Sequence, residues 1–408
     1  MTTTTDPATI VDAFARSLAA PHQPPQDQPW QTQSLAAGAA GAALLHIERA
    51  RTGRGTWRQA HTWITAAVST DVSAAETTGL YLGVPAIGFM LLCAVTDEST
   101  RYHQVLNAMD RHIADLAHRR AEAADTRLRS GRHSTFHEYD VFYGLTGIGS
   151  YLLRSAPRGT AMERVLTYLV ALTRPVRDDH HGELPGWWVG HAPDLTASGD
   201  FPGGHANLGA AHGITGPLML LSLAHRQGVT VDGQAEAIAT IVDWMDEWRQ
   251  EGPAGPWWPE HLTTAELRTG RTMRTGPARP SWCYGTPGIA RAGQLASIAL
   301  GNARLQHQFE HDMARCLTDP AQLNRLADGG LCHGWAGAYQ TAWRAAHDAA
   351  TPALNTALPG LTAALTQHAH PGPDPGLLQG NAGIALALTT AAHDSAPTSG
   401  WDACLLID

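Results

Sequence analysis

Two cysteines in this chain precede a glycine-led turn in the same way. Cys283 stands two residues before Gly285 in SWCYGTPGIA, and Cys332 stands two residues before Gly334 in LCHGWAGAYQ, with His333 between them. If the two stretches are equivalent parts of adjacent units, two thiolates and one imidazole converge. Such a set can hold one Zn²⁺ per chain through three protein ligands, leaving the fourth position for water or substrate. Sulfur donors favour zinc over magnesium or calcium. The same spacing also suits two buried cysteines and a capping histidine, so the residues alone leave both readings open. Cys93, Cys316 and Cys404 sit in apolar helical or terminal contexts and read as core residues.

Other reactive groups gather at similar turns. His212 directly precedes Gly213 in NLGAAHGITG, the place His333 holds before Gly334, but it has no cysteine beside it. That suits an acid/base better than a ligand, because imidazole titrates near neutrality. Asp140, four residues before Gly144 in HEYDVFYGLTG, is positioned to orient and polarise His212 from the adjacent unit. Arg279 would bring a fixed positive charge, and Tyr284 a hydrogen-bond donor. Each of these taken alone also fits a surface or capping role. With 22 histidines in the chain, a lone histidine is weak evidence, and most of the others are expected to face solvent.

The elements that would position these groups follow from an internal repeat. Seven segments share a lead glycine, two variable residues, glycine or alanine, then an apolar run: GAAGAALL (38–45), GVPAIGFML (83–91), GLTGIGSYLL (144–153), GITGPLMLL (213–221), GTPGIARAG (285–293), GWAGAYQTA (334–342) and GNAGIALAL (380–388). The lead glycines are 45, 61, 69, 72, 49 and 46 residues apart, room for two helices per repeat. Between them lie one-sided helices. Ile238, Ile241, Val242 and Met245 fall on one face of 237–248, and Val165, Leu166, Leu169 and Leu172 on one face of 163–172. The glycine-led runs are apolar nearly all round, as buried inner helices would be. Glycine at a helix start permits close backbone approach and leaves N–H groups accessible. The expected architecture is all-α: seven striped outer helices around seven inner ones, with the glycine ends forming an electropositive rim. An open solenoid is the alternative, and the short stop WDACLLID favours closure. The turn-rich stretch 182–204 reads as loop with at most a short hairpin.

Composition bounds the rest. The 408 residues are 43% hydrophobic and 16% charged, enough for a large core, and fit one repeat-built domain over 31–408 behind a flexible segment 1–30. A net charge of -9 without a long basic run argues against nucleic acid. The most basic stretch, 111–133, reads as a solvated helix face and loop, the alternative being a docking strip for an acidic peptide. Five unpatterned cysteines do not describe a disulfide scaffold and point to the reducing cytoplasm. The N-terminus lacks a signal-peptide pattern, and no apolar run reaches the roughly 18 residues of a membrane span.

These motifs together resemble the lanthionine synthetase C-like family, the stand-alone cyclases of class I lanthipeptide biosynthesis. The resemblance covers essentially the whole chain and rests on YDVFYGLTGIGSYLL, NLGAAHGITG, RPSWCYGTPG and LCHGWAGA. It implies an α/α toroid with a central zinc, held by Cys283, Cys332 and His333, with Asp140, His212, Arg279 and Tyr284 in the active site. The family often carries a small insertion module, for which 95–138 or 154–207 has room. The implied substrate is a dehydrated precursor peptide of leader plus core, and the implied partners are a lanthipeptide dehydratase and an exporter. The implied reaction is Michael-type addition of a peptide cysteine to dehydroalanine or dehydrobutyrine, giving lanthionine or methyllanthionine. Two other readings stand beside it: addition of glutathione to dehydro residues of proteins, and a non-catalytic peptide-binding scaffold. A glycosidase on the same toroid would need a pair of carboxylates, and only Asp140 lies at such a motif.

Overall fold

Each inner helix starts where its glycine motif starts. In the computed structural model, which describes residues 6–21, 24, 26–96, 100–195 and 199–408, the inner helices are Ala39–Arg51, Val84–Ala94, Leu145–Ser155, Thr215–Arg226, Thr286–Ala299, Trp335–Asp348 and Asn381–His393. Six follow directly on Gly38, Gly83, Gly144, Gly285, Gly334 and Gly380. Gly213 comes two residues before the other. After each of the first six comes an outer helix: Trp57–Ala67, His103–Arg129, Thr160–Leu172, Gln234–Glu247, Ala303–Thr318 and Ala353–His368. The expected stripes are the buried faces: Ile238, Ile241, Val242 and Met245 on one, Val165, Leu166, Leu169 and Leu172 on another. Burying each such side chain contributes about 1.5–3 kcal/mol.

The last inner helix has no outer helix after it in the chain. Its outer neighbour is Pro7–Ser17, from the segment expected to be flexible. Asp6 starts this helix by accepting from the Ala8 amide at 3.2 Å. Val11, Phe14 and Leu18, spaced i, i+3 and i+7, are buried, and the helix packs on Asn381–His393. That spacing was the signal for order. Asn381–His393 also packs on Ala39–Arg51, so the inner ring closes. The fold is an α/α toroid of seven inner and seven outer helices among the described residues. No helix among them is long and apolar enough to cross a membrane.

The two intervals with room for an insertion are filled more simply. The first holds the long helix His103–Arg129, and the second an outer helix and a hairpin, Val176–Asp178 against Gly182–Leu184. A second short antiparallel pair, Ala206–Asn207 with His261–Leu262, sets Asn207 opposite His261.

A chain of backbone hydrogen bonds runs round the glycine rim, each repeat donating to the next. Leu35 donates to Tyr81, Val141 to Ala211, Ala210 to Cys283, Cys283 to Cys332, Cys332 to Leu378, and Leu378 back to Ala36. At the remaining junction the Tyr81 and Phe142 rings stack at 4.3 Å. The rim loops tuck beneath the inner helices, and there the expectation of accessible helix N–H groups needs correcting. The Gly288 amide donates to Ser281 and the Gly337 amide to Gly330, so the loop itself occupies these donors. A Cβ on Gly288 would lie 2.0 Å from the Trp282 carbonyl oxygen, and one on Gly337 1.9 Å from that of Leu331. Glycine is needed there for close approach.

The C-terminal residues fill the ring rather than merely ending it. Tyr81 Oη donates to the Cys404 carbonyl, Ser150 Oγ to that of Ala403, Trp282 Nε1 to that of Leu405 and Arg291 to that of Ile407. The tail therefore ties together inner helices from different repeats.

Candidate metal centre and acid–base pair

The hydrogen bond from the Cys283 amide to the Cys332 carbonyl, 3.2 Å long, sets the two cysteines side by side on the rim. The ligand atoms of Cys283, Cys332 and His333 all lie within 4.8 Å of one another. In a tetrahedral zinc site, with metal–ligand bonds of about 2.0–2.3 Å, donors stand about 3.5–4 Å apart. The cluster therefore needs a contraction of at most about 1.3 Å. Asp328 Oδ2 stands 3.6 Å from His333 Nε2, and a ligating imidazole is commonly held by a carboxylate in this way. Ser281 Oγ is 3.5 Å from Cys283 Sγ. Two soft sulfurs, an imidazole and this supporting pair fit zinc. The contact between the sulfurs pushes the Cys283 thiol down and the Cys332 thiol up, so one proton is shared by the pair. All five cysteines are free thiols. Cys93, Cys316 and Cys404 are buried in the core as expected, and burial pushes all three thiols up, that of Cys316 to about 12.

Asp140 and His212 meet across two repeats. His212 Nδ1 is 2.6 Å from Asp140 Oδ2, and the carboxylate is fully buried. Asp140 Oδ1 meanwhile accepts the amides of Tyr143 and Gly144, both at 2.7 Å. Anchored by its own turn, the carboxylate holds the hydrogen on Nδ1 and leaves Nε2 as the working nitrogen. The amide of Ala211, the residue before His212, donates to the Cys283 carbonyl at 3.3 Å, which joins the pair to the metal cluster. Tyr284 lies alongside, its ring 6.5 Å from that of His212. Its hydroxyl accepts from Asn207 Nδ2 at 3.2 Å and so keeps its own hydrogen free to donate. Arg279 is exposed, and its charge bears on Cys332 and on half-buried Glu260. All seven residues singled out in the sequence thus belong to one rim segment.

Several neighbours were not anticipated. Asn207 supports Tyr284 and also accepts the Gly209 amide through Oδ1 at 2.9 Å. Asp328 supports His333 and accepts the Gly330 amide at 2.9 Å. A signal existed: Asn207, Asp328 and Asp374 each stand six residues before a lead glycine. Phe136 and Phe142, whose rings lie 5.0 and 4.8 Å from that of His212, carried no such signal. Most of the other described histidines are exposed or half-buried, as expected, but His46 and His205 are buried.

Comparisons with known proteins bear on the fold and the family. Over 268 residues the chain is 25% identical to the nisin biosynthesis protein NisC of Lactococcus lactis subsp. lactis, a match that spans 64% of this chain and 60% of the length of that relative. The fold resembles that of a nisin cyclase with a TM-score of 0.79, covering 98% of this chain and 96% of the other at 20% identity. At that identity the likeness speaks for the fold. The family model for lanthionine synthetase C-like protein matches residues 29–406, and this chain belongs to that family.

Proposed function

We propose that this protein is a zinc-dependent lanthipeptide cyclase, acting on a ribosomally made peptide whose serines and threonines have already been dehydrated. One observation carries the reading: two thiols and an imidazole within 4.8 Å of one another, on the same rim as a carboxylate-held histidine. A peptide-binding scaffold has no need of that combination. Family membership and the relatives' names, nisin biosynthesis protein and nisin cyclase, support the same chemistry.

Cys283, Cys332 and His333 would hold the metal. Zinc bound there supplies the Lewis acidity that keeps an incoming cysteine sulfur ionised at neutral pH. The remaining work falls to the chain's own side chains. His212 takes the thiol proton on Nε2 while Asp140 steadies the positive charge that forms on the ring. As the sulfur bonds to the β-carbon of the dehydro residue, negative charge develops on the neighbouring carbonyl oxygen. Tyr284 Oη and Arg279 are the donors on hand to stabilise it. His212 then returns the proton to the α-carbon. One S–H and one C=C are consumed, and one S–C and one C–H bond are made, with no oxidant and no loss of mass.

The substrate on this reading is a leader-plus-core precursor delivered by a dehydratase, with an exporter downstream, and the free thiols suit a reducing cytoplasm. Purified protein should contain one zinc per chain, lost in Cys283→Ala and Cys332→Ala. A dehydrated precursor should lose alkylatable thiols on incubation without changing mass. Metal-free wild type, or thiols that stay alkylatable, would each overturn the proposal.

A further inference from the structure

The chain carries a net charge of -9, yet from Leu267 to Phe309 it has no Asp or Glu. Four arginines fall in the first part of that span. Arg268 is in the last turn of the short helix Thr264–Thr269, and Arg271, Arg274 and Arg279 are in the stretch that runs from it to Cys283. All four are exposed. Elsewhere arginine ties the fold together: Arg127 pairs with Glu138, Arg249 with Asp312 and Arg344 with Asp402. The four guanidiniums of this loop make no hydrogen bond or ion pair with a described residue. Carboxylates do stand nearby. Glu183 and Glu247 line a groove that Gly270 also lines, and Glu260 feels the charges of Arg274 and Arg279, but none pairs with the loop.

The loop is nonetheless held in one shape. Buried Glu266 accepts from the Thr263 amide and hydroxyl, both at 2.8 Å, from the Thr272 hydroxyl at 3.1 Å and from the Met273 amide at 2.7 Å. Arg325, in the loop leading to Cys332, donates to the Pro277 carbonyl. Folding back on Glu266 keeps Arg268, Arg271 and Arg274 on one compact turn, with Met273 81% exposed among them. Concentrating like charges there is repulsive and gives the fold no contact in return. At its far end the loop enters the rim. The charge of Arg279 bears on Cys332, and that of Arg274 on His261, whose ring is 5.4 Å from that of Tyr284.

We propose that this arginine loop is the docking face for an acidic segment of the peptide substrate, outside the residues that react. Guanidiniums take carboxylates in paired hydrogen bonds. A chain with net charge -9 repels an acidic peptide over most of its surface, so an unpaired basic turn decides where such a peptide lands. Arg274 is separated from Arg279 by at most about 18 Å of extended chain. The segment it meets therefore sits several residues from the reacting cysteine. That this segment belongs to a cyclase substrate rests on the reading above; the docking face does not.

The test uses the full-length, zinc-loaded protein and fluorescence anisotropy of a labelled peptide of alternating aspartate and alanine. The same peptide with asparagine for aspartate is its uncharged counterpart. The aspartate peptide should bind about tenfold or more tighter than the counterpart, and added salt should narrow that difference. Arg268→Ala, Arg271→Ala and Arg274→Ala together break no side-chain bond of the fold. They should weaken the aspartate peptide about tenfold while the thermal midpoint holds, and lysine at the same three positions should restore most of the binding. Equal binding of both peptides, no loss in the triple alanine variant, or tighter capture of an oligothymidylate than of the aspartate peptide would overturn the proposal. With a dehydrated precursor whose leader carries aspartates, the triple variant should raise KM and leave kcat near wild type; an unchanged KM would take the face away from the substrate. Anisotropy needs no turnover, so a failed cyclase assay leaves the docking face standing, and a working cyclase does not rescue a face that fails to bind.

Discussion

The two ends of the inner helices treat their polar groups in opposite ways. Toward the C-terminal ends several charges are paired. Arg344 meets Asp402 with two contacts of 2.7 and 2.8 Å, and Asp402 is fully buried. Arg291 and Arg226 both meet Asp348, at 2.8 and 3.0 Å. Burial alone would push the Asp348 carboxyl up, but the two guanidiniums outweigh it and hold it below the usual carboxylate range. At the glycine rim partners are withheld. Two thiols face each other, and the Nε2 atoms of His191, His205 and His261 lack partners among the described residues. The paired end holds the ring together, and the rim is left able to bind and to move protons.

Substitutions should respect this division. His212→Asn is expected to lower the rate of ring closure by about 10²–10⁴ while zinc content and thermal midpoint stay near wild type, as steady-state assays and calorimetry can show. A parallel fall in stability would mean that the rim is structural after all. Asp402→Ala should do the reverse. Leaving the half-buried Arg344 unpaired costs up to about 3–5 kcal/mol, read as a lower urea midpoint, with zinc still bound at saturating metal in whatever remains folded. Unchanged urea curves would remove the tail from the role given to it.

Acid should reach the two ends in different pH windows. His205 titrates near 4 in the folded chain, against 6.5 for an ordinary imidazole, because burial disfavours its charged form. The unfolded chain therefore binds more protons between those values, and stability falls as pH drops from about 6.5 to 4, by about 1.4 kcal/mol per pH unit. Asp348 has a linkage of the same sign in a lower pH window. Its contribution is complete above the ordinary carboxylate value and disappears as pH falls through its lowered one. On lowering the pH, hydrogen exchange should therefore rise first in 199–212 and 256–285 and only later in 340–348. Simultaneous opening would erase the contrast between the two ends.

Much of this was legible from local pattern. A lead glycine at each of seven spacings marks an inner helix, because only a residue without Cβ lets the preceding loop pass beneath the helix start. Residue types before those glycines marked Cys283, Cys332, His333, His212 and Asp140, since equivalent positions in neighbouring repeats must be neighbours in space. The helix Pro7–Ser17 was legible too, in the spacing of Val11, Phe14 and Leu18, but its partner lies at the other end of the chain. The cluster of His191, His205 and His261, with ring centroids 5.9 and 5.0 Å apart in turn, was not legible: the three share no motif, and they meet because Asn207 pairs with His261 and Val189 with His205.

By itself, then, the sequence determined the repeat, the helices and which side chains stand at the rim, because these depend on glycine, periodicity and position within a repeat. Tertiary structure alone decided which groups found partners. The pairing of Arg344 with Asp402, 58 residues on, depends on ring closure bringing the tail inside, and so does the sharing of one rim by His212 and the cysteines.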